Sequence, residues 1–104
     1  MRRAAKADDN QPVIVKSFRQ LGWTVAHTHM IGRGFPDIIA SKHLPSGYRF
    51  TVVIEIKDGE KAKSAQALTP DEVVWKDAWQ GEYKIINSIE AVAEYHNWVV
   101  REFG

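Results

Sequence analysis

The chain predicts an α/β fold, a mixed sheet of about four strands flanked by helices in the order αβββαβα. Three observations carry this reading. Apolar residues recur at helical spacing early and late in the chain, while runs of alternating or β-branched residues fill the middle. Leu68-Thr-Pro-Asp-Glu-Val is a strong helix start, and it separates the third β-type run from a fourth. A helix between two strands makes that last pair parallel. The 104 residues are read as a single domain, 1–104, long enough to form a core without staples.

In chain order, residues 1–8 read as a flexible basic arm. Asp9 or Asn10 caps a first helix, with Pro12 in its opening turn, Val13, Val15, Phe18 and Leu21 at near-helical spacing, and Gly22 as its stop. Residues 23–29 alternate as a half-buried strand does, which places His27 and His29 on one face. With no third ligand adjacent, the pair reads as exposed strand histidines, a phosphate contact being the alternative. Gly32 and Gly34 permit unusual backbone shapes around Arg33, a candidate to reach a phosphate. Asp37-Ile-Ile-Ala and the run ending Val-Val-Ile-Glu-Ile-Lys (52–57) read as the two arms of a hairpin.

Asp58-Gly59 turns the chain, and residues 60–66, lacking any period, read as a mobile loop. Thr69, Pro70 and Glu72 then form a capping box, with Leu68 and Val73 spaced as a hydrophobic staple. That helix runs to Gly81 and turns Trp75 and Trp79 into the core against the sheet. Residues 82–86 are a short strand, and Asn87 or Ser88 caps a last helix over 89–96 with Ile89, Val92 and Ala93 inward. Trp98-Val-Val reads as a further strand or a docking tail, and its exposure would favour a homodimer.

Composition narrows the class. Hydrophobic residues are 44% and charged residues 26%, an ordinary globular balance. There is no cysteine, which excludes a disulfide framework and a cysteine-ligated zinc site and suits a reducing cytoplasm. No apolar run approaches a membrane span, and the first residues lack the apolar core of a signal peptide, so a soluble cytoplasmic protein is expected. The net charge of +1 is not a nucleic-acid signature, but Arg2, Arg3 and Lys6 cluster at the start and Lys57, Lys61 and Lys63 follow the hairpin.

The chemistry gathers around the hairpin. In an extended strand Glu55 and Lys57 point the same way, and the hairpin returns Asp37 to the side of Glu55. Two adjacent carboxylates repel unless a cation lies between them. Mg²⁺ or Mn²⁺ meets that need with one or two carboxylates, waters and substrate phosphate oxygens, and the Ile56 carbonyl adds a ligand. Lys57 beside them can orient or deprotonate the attacking water and counter charge growing on a phosphate. Asp37, Glu55, Ile56 and Lys57 thus outline a metal-dependent phosphodiesterase site.

Pro36-Asp37 … Glu55-Ile56-Lys57 resembles the PD-(D/E)XK signature of the restriction-endonuclease-like superfamily. The order of the chain over residues 9–95 is similar to its small stand-alone VRR-NUC type of phages and bacteria. The resemblance implies the restriction-endonuclease-like sheet and helix arrangement, a Mg²⁺- or Mn²⁺-dependent DNA endonuclease, and a bacterial or phage-infected cytoplasm. It implies side-chain metal ligation by Asp37 and Glu55, and DNA backbone contacts from a basic loop at Lys61 and Lys63. Gln11 falls where many relatives carry a metal-site glutamate, and Val73 where they often carry a glutamine. No sequence-reading element is visible, so structure-selective cleavage of branched DNA such as a Holliday junction, by a homodimer, is the leading expectation. A flap or nicking nuclease and a non-catalytic DNA-binding subunit stand as alternatives.

Overall fold

The third strand, β3 (Arg49–Ile56), is the one on which the protein is assembled. In the computed structural model, which describes residues 8–104, it pairs on both sides within a four-stranded sheet ordered β1-β2-β3-β4. Arg2, Arg3 and Lys6 of the expected arm lie outside the described residues. The other elements are α1 (Gln11–Gln20), β1 (Thr24–His27), β2 (Ile38–His43), α2 (Lys63–Gln66), α3 (Pro70–Ala78), β4 (Tyr83–Ile86) and α4 (Ile89–Phe103), with a 3-10 turn at His29–Ile31. The fold is mixed α/β: β1 with β2 and β2 with β3 are antiparallel, and β3 with β4 is parallel. Among the described residues, no helix is long and apolar enough to cross a membrane.

Register follows from burial. Phe50, Val52, Ile54 and Ile56 alternate onto one face of β3 and are all buried. Onto that face pack Ile14, Val15 and Phe18 of α1 and Val92, Tyr95 and Val99 of α4. Trp23 closes one end, its ring edge-on to Phe18 and Phe50 at centroid distances of 5.3 and 6.1 Å, with its indole N–H donating to His96 Nδ1 at 3.0 Å. The opposite face of β3 carries Val53, Glu55 and then Lys57, and α3 crosses this end.

Local chemistry explains the helix starts. Thr69 Oγ1 accepts from the Glu72 N–H at 3.3 Å while Glu72 Oε1 accepts from the Thr69 N–H at 2.9 Å, completing the capping box. Ser88 Oγ accepts from the Ala91 N–H at 3.1 Å at the head of α4. Asn10 occupies the cap of α1 without a side-chain cap bond, and its amide instead donates to the Lys57 carbonyl at 2.9 Å, fastening the head of α1 to the end of β3.

Several expectations are corrected. Val13 is 54% exposed and Ile14 takes the inward position. His29 leaves the strand for the 3-10 turn. Residues 60–66 are not all loop: Lys63–Gln66 is a helical turn, and the Gln66 amide donates to the Lys61 carbonyl at 2.7 Å. The helix after the capping box ends at Ala78, and none of its residues is buried. Trp75 and Trp79 therefore stack on each other at 4.9 Å outside the core. Residues 98–100 continue α4, because Val92, Tyr95 and Val99 lie on one helical face that the core buries, overriding the β-propensity of Val99-Val100. Ile89 and Ala93 face outward, and Val99 is not free to form a docking tail.

Candidate active site

The antiparallel register sets Ile38 opposite Ile54, and the Asp37 N–H extends the ladder by donating to the Ile54 carbonyl at 3.0 Å. One step further, Asp37 stands beside Glu55. Its Oδ2 accepts from the Ile56 N–H at 2.7 Å, so the strand's own backbone locks the carboxylate. Glu55 is only 3% exposed, its Oε1 has no hydrogen-bond partner, and its Oε2 lies 3.7 Å from Lys57 Nζ. Lys57 Nζ donates to Glu72 Oε1 at 2.8 Å. The capping glutamate of α3 thus serves two donors, and it draws the helix onto the site.

The front of this recess, about 190 Å³, is the loop 32–35. Gly32, Arg33 and Gly34 all take left-handed backbone angles, with φ of 75°, 58° and 80°. Glycine adopts these freely, whereas Arg33 bears a steric cost of about 1 kcal/mol or more. Gly34 is required on a second count, since a Cβ there would collide with the Asp71 carbonyl oxygen in the first turn of α3. Thr28 holds the foot of the loop, its hydroxyl donating to the Pro36 carbonyl at 2.7 Å and its N–H to the Asp37 carbonyl at 2.8 Å.

Burial dominates the electrostatics. It pushes Glu55 up to about 10, helped by the charge of Asp37 and by Glu72. Burial also raises Asp37, in part offset by the Ile56 N–H and by a hydrogen bond from Glu55. Burial pushes Glu72 up, but the hydrogen bonds from Lys57, the Thr69 N–H and Glu55, with the charge of Lys57, together outweigh it and hold Glu72 below the usual carboxylate range. Lys57 ends above its ordinary value, its own burial being outweighed by Glu72, Glu55 and Asp8. At neutral pH burial and the neighbouring acids thus favour the protonated form of Glu55, while Lys57 is an ammonium.

A proton held between acids marks a place where a cation is favourable. Asp37, Glu55 and the Ile56 main chain all border the recess, and the unpartnered buried Oε1 of Glu55 is an acceptor with nothing to accept. This hard oxygen set suits Mg²⁺ or Mn²⁺, which take few protein ligands and keep waters. Among the described residues no group of three or more His, Cys, Asp or Glu is arranged to hold a metal, so the fit rests on two carboxylates and a carbonyl.

The sequence-predicted residues do not all meet. Asp37, Glu55, Ile56, Lys57 and Arg33 border the recess. Gln11, 2% exposed, does not: its Nε2 lies 3.2 Å from Nδ1 of both His27 and His29, one compartment away. Lys61 and Lys63 are exposed and outside the recess, as is Val73. Sequence reasoning missed Glu72, whose capping role concealed its reach to Lys57, and also missed Asp71 and Thr69 beside it. His29 borders both compartments. Comparison with protein families, with curated proteins and with solved structures finds no match to this chain.

Proposed function

We propose that this protein is a Mg²⁺- or Mn²⁺-dependent DNA endonuclease of the PD-(D/E)XK, VRR-NUC-like kind, with the restriction-endonuclease-like arrangement of sheet and helices. Its preferred substrate is branched DNA such as a Holliday junction, cut by a homodimer in a bacterial or phage-infected cytoplasm. The observation that carries the reading is the pairing of a buried carboxylate, Glu55, with the half-buried carboxylate of Asp37 and a lysine ammonium 3.7 Å from Glu55. That grouping is costly to fold and gains its use when a cation and a phosphate enter.

Asp37 and Glu55 would hold the ion through their side chains and Ile56 through its carbonyl, and the ion would supply Lewis-acid polarisation of a phosphoryl oxygen and a more acidic water. Lys57, kept charged by Glu72, acts as a hydrogen-bond donor that positions the attacking water and counters charge developing on the phosphate. Arg33, held at the mouth by its left-handed backbone, contacts a flanking phosphate. Lys61 and Lys63 add backbone contacts outside the recess.

The test is cleavage of labelled four-way junction, flap and linear duplex with Mg²⁺, Mn²⁺ or EDTA, beside Glu55→Gln. Metal-dependent cutting, strongest on the junction and lost in the variant, is expected. Binding without cutting under every metal would replace this reading with a non-catalytic DNA-binding subunit.

A further inference from the structure

Beside the acidic recess lies a groove of opposite character. It occupies about 570 Å³ between α1 and β1, within the range of pockets that hold small ligands, about 300–1,000 Å³. Lys16 and Arg19, three residues apart and hence neighbours on one face of α1, border it together with His27 and His29. Among the described residues, no Asp or Glu borders this groove, whereas Asp8, Asp37, Glu55, Asp71 and Glu72 border the recess. His29 belongs to both walls, so the two compartments are contiguous.

Gln11 positions the two histidines. It is buried at the floor, and its one amide nitrogen, with two N–H donors, stands 3.2 Å from Nδ1 of each ring. The amide has a donor end and an acceptor end, so it can serve either tautomer of each ring, and it holds both imidazoles at the groove wall. Two imidazoles and two cations in a groove that no described Asp or Glu borders make a receptor for a polyanion.

We infer that the groove bordered by Lys16, Arg19, His27 and His29 grips the sugar-phosphate backbone of the nucleic-acid strand leading away from the cleavage recess. The inference rests on the nuclease reading and adds the path of the strand: past the acidic recess, across His29, and along α1. Phosphates meet donors in one compartment and the cation in the other, so the two contacts do not compete.

The test is fluorescence anisotropy of labelled four-way junction and single-stranded DNA in EDTA, across a salt series, for the whole chain and for Lys16→Gln with Arg19→Gln. The double variant is expected to bind about tenfold more weakly near 0.1 M salt, with the log–log salt slope reduced by about 1.4–1.8. The swapped variant Lys16→Arg with Arg19→Lys keeps both charges and is expected to keep the wild-type slope. Wild-type binding with an unchanged slope in the double variant would overturn the groove and leave the nuclease reading standing. Equal loss of slope in the swapped variant would assign the effect to packing and also overturn it. Absence of DNA binding by the wild-type chain would overturn both readings together.

Discussion

Glu55 is the residue at which stability and the proposed function are most opposed. Its folded pKa of about 10 stands above the ordinary 4.5, so its share of stability is fully present below about pH 4.5 and is lost as pH rises toward 10. Glu72 works the other way, with stability present above its ordinary 4.5 and lost as pH falls. Between pH 5 and 9 the Glu55 effect governs. The metal-free melting temperature should fall across that window, and Glu55→Gln should flatten the fall and raise stability at pH 8 by about 1–3 kcal/mol, measured by thermal melts, while abolishing cleavage. Mg²⁺ should raise the melting temperature more at pH 8 than at pH 5, because ion and proton compete for the same oxygens. Gln11 makes a second residue-scale prediction. Gln11→Glu should leave the metal titration unchanged, since Gln11 lies outside the recess, and should destabilise the protein at pH 8 by about 1–3 kcal/mol by placing a charge where a neutral amide is 2% exposed. A sharpened metal affinity in that variant would return Gln11 to the metal site.

Among the helices longer than one turn, α3 is the least buried and the closest to the recess. It buries no side chain, and it is tied down by the Lys57–Glu72 pair, by the close approach of Gly34 to Asp71, and by Trp75 against Phe35 at 4.9 Å. Its amides should therefore exchange with solvent by local opening, faster than those of α4, in a hydrogen-exchange experiment. Glu72→Ala removes both the capping box and the lysine's partner. We expect a loss of about 1–2 kcal/mol, faster exchange confined to α3, and weakened cleavage. Protection of α3 equal to that of α4 would mean that the helix is fixed by contacts other than these. The capping box was legible because its partners are three residues apart. Its second duty was not, since Lys57 and Glu72 are neighbours only once β3 and α3 are placed together.

At the scale of the whole molecule, one face of the sheet is committed to stability and the other to the site. Val99 is fully buried between α4 and the sheet, while Trp98 is 37% exposed and stacks on Tyr95 at 5.7 Å. Val99→Ala should cost about 2 kcal/mol and Trp98→Ala less than about 1 kcal/mol, read from denaturant midpoints. The opposite ranking would restore a separate segment at 98–100. The division also explains how a domain of this size keeps three acids and a lysine at the end of its central strand. Phe50, Val52, Ile54 and Ile56 are secured on the α1–α4 face, so Glu55 and Lys57 can face the recess without opening the core.

Sequence alone determined the mixed α/β class, the hairpin and parallel pairings of β3, the capping of α3, and the arrival of Asp37 beside Glu55. These follow from alternation, turn chemistry and short-range spacing, which act within a few residues or across one hairpin. Tertiary structure decided that Gln11 serves two histidines instead of the recess, that Glu72 holds Lys57, that Trp75 and Trp79 stack outside the core, and that residues 98–100 remain helical. Each of these depends on which distant face a side chain meets, and burial against that face outweighs local propensity.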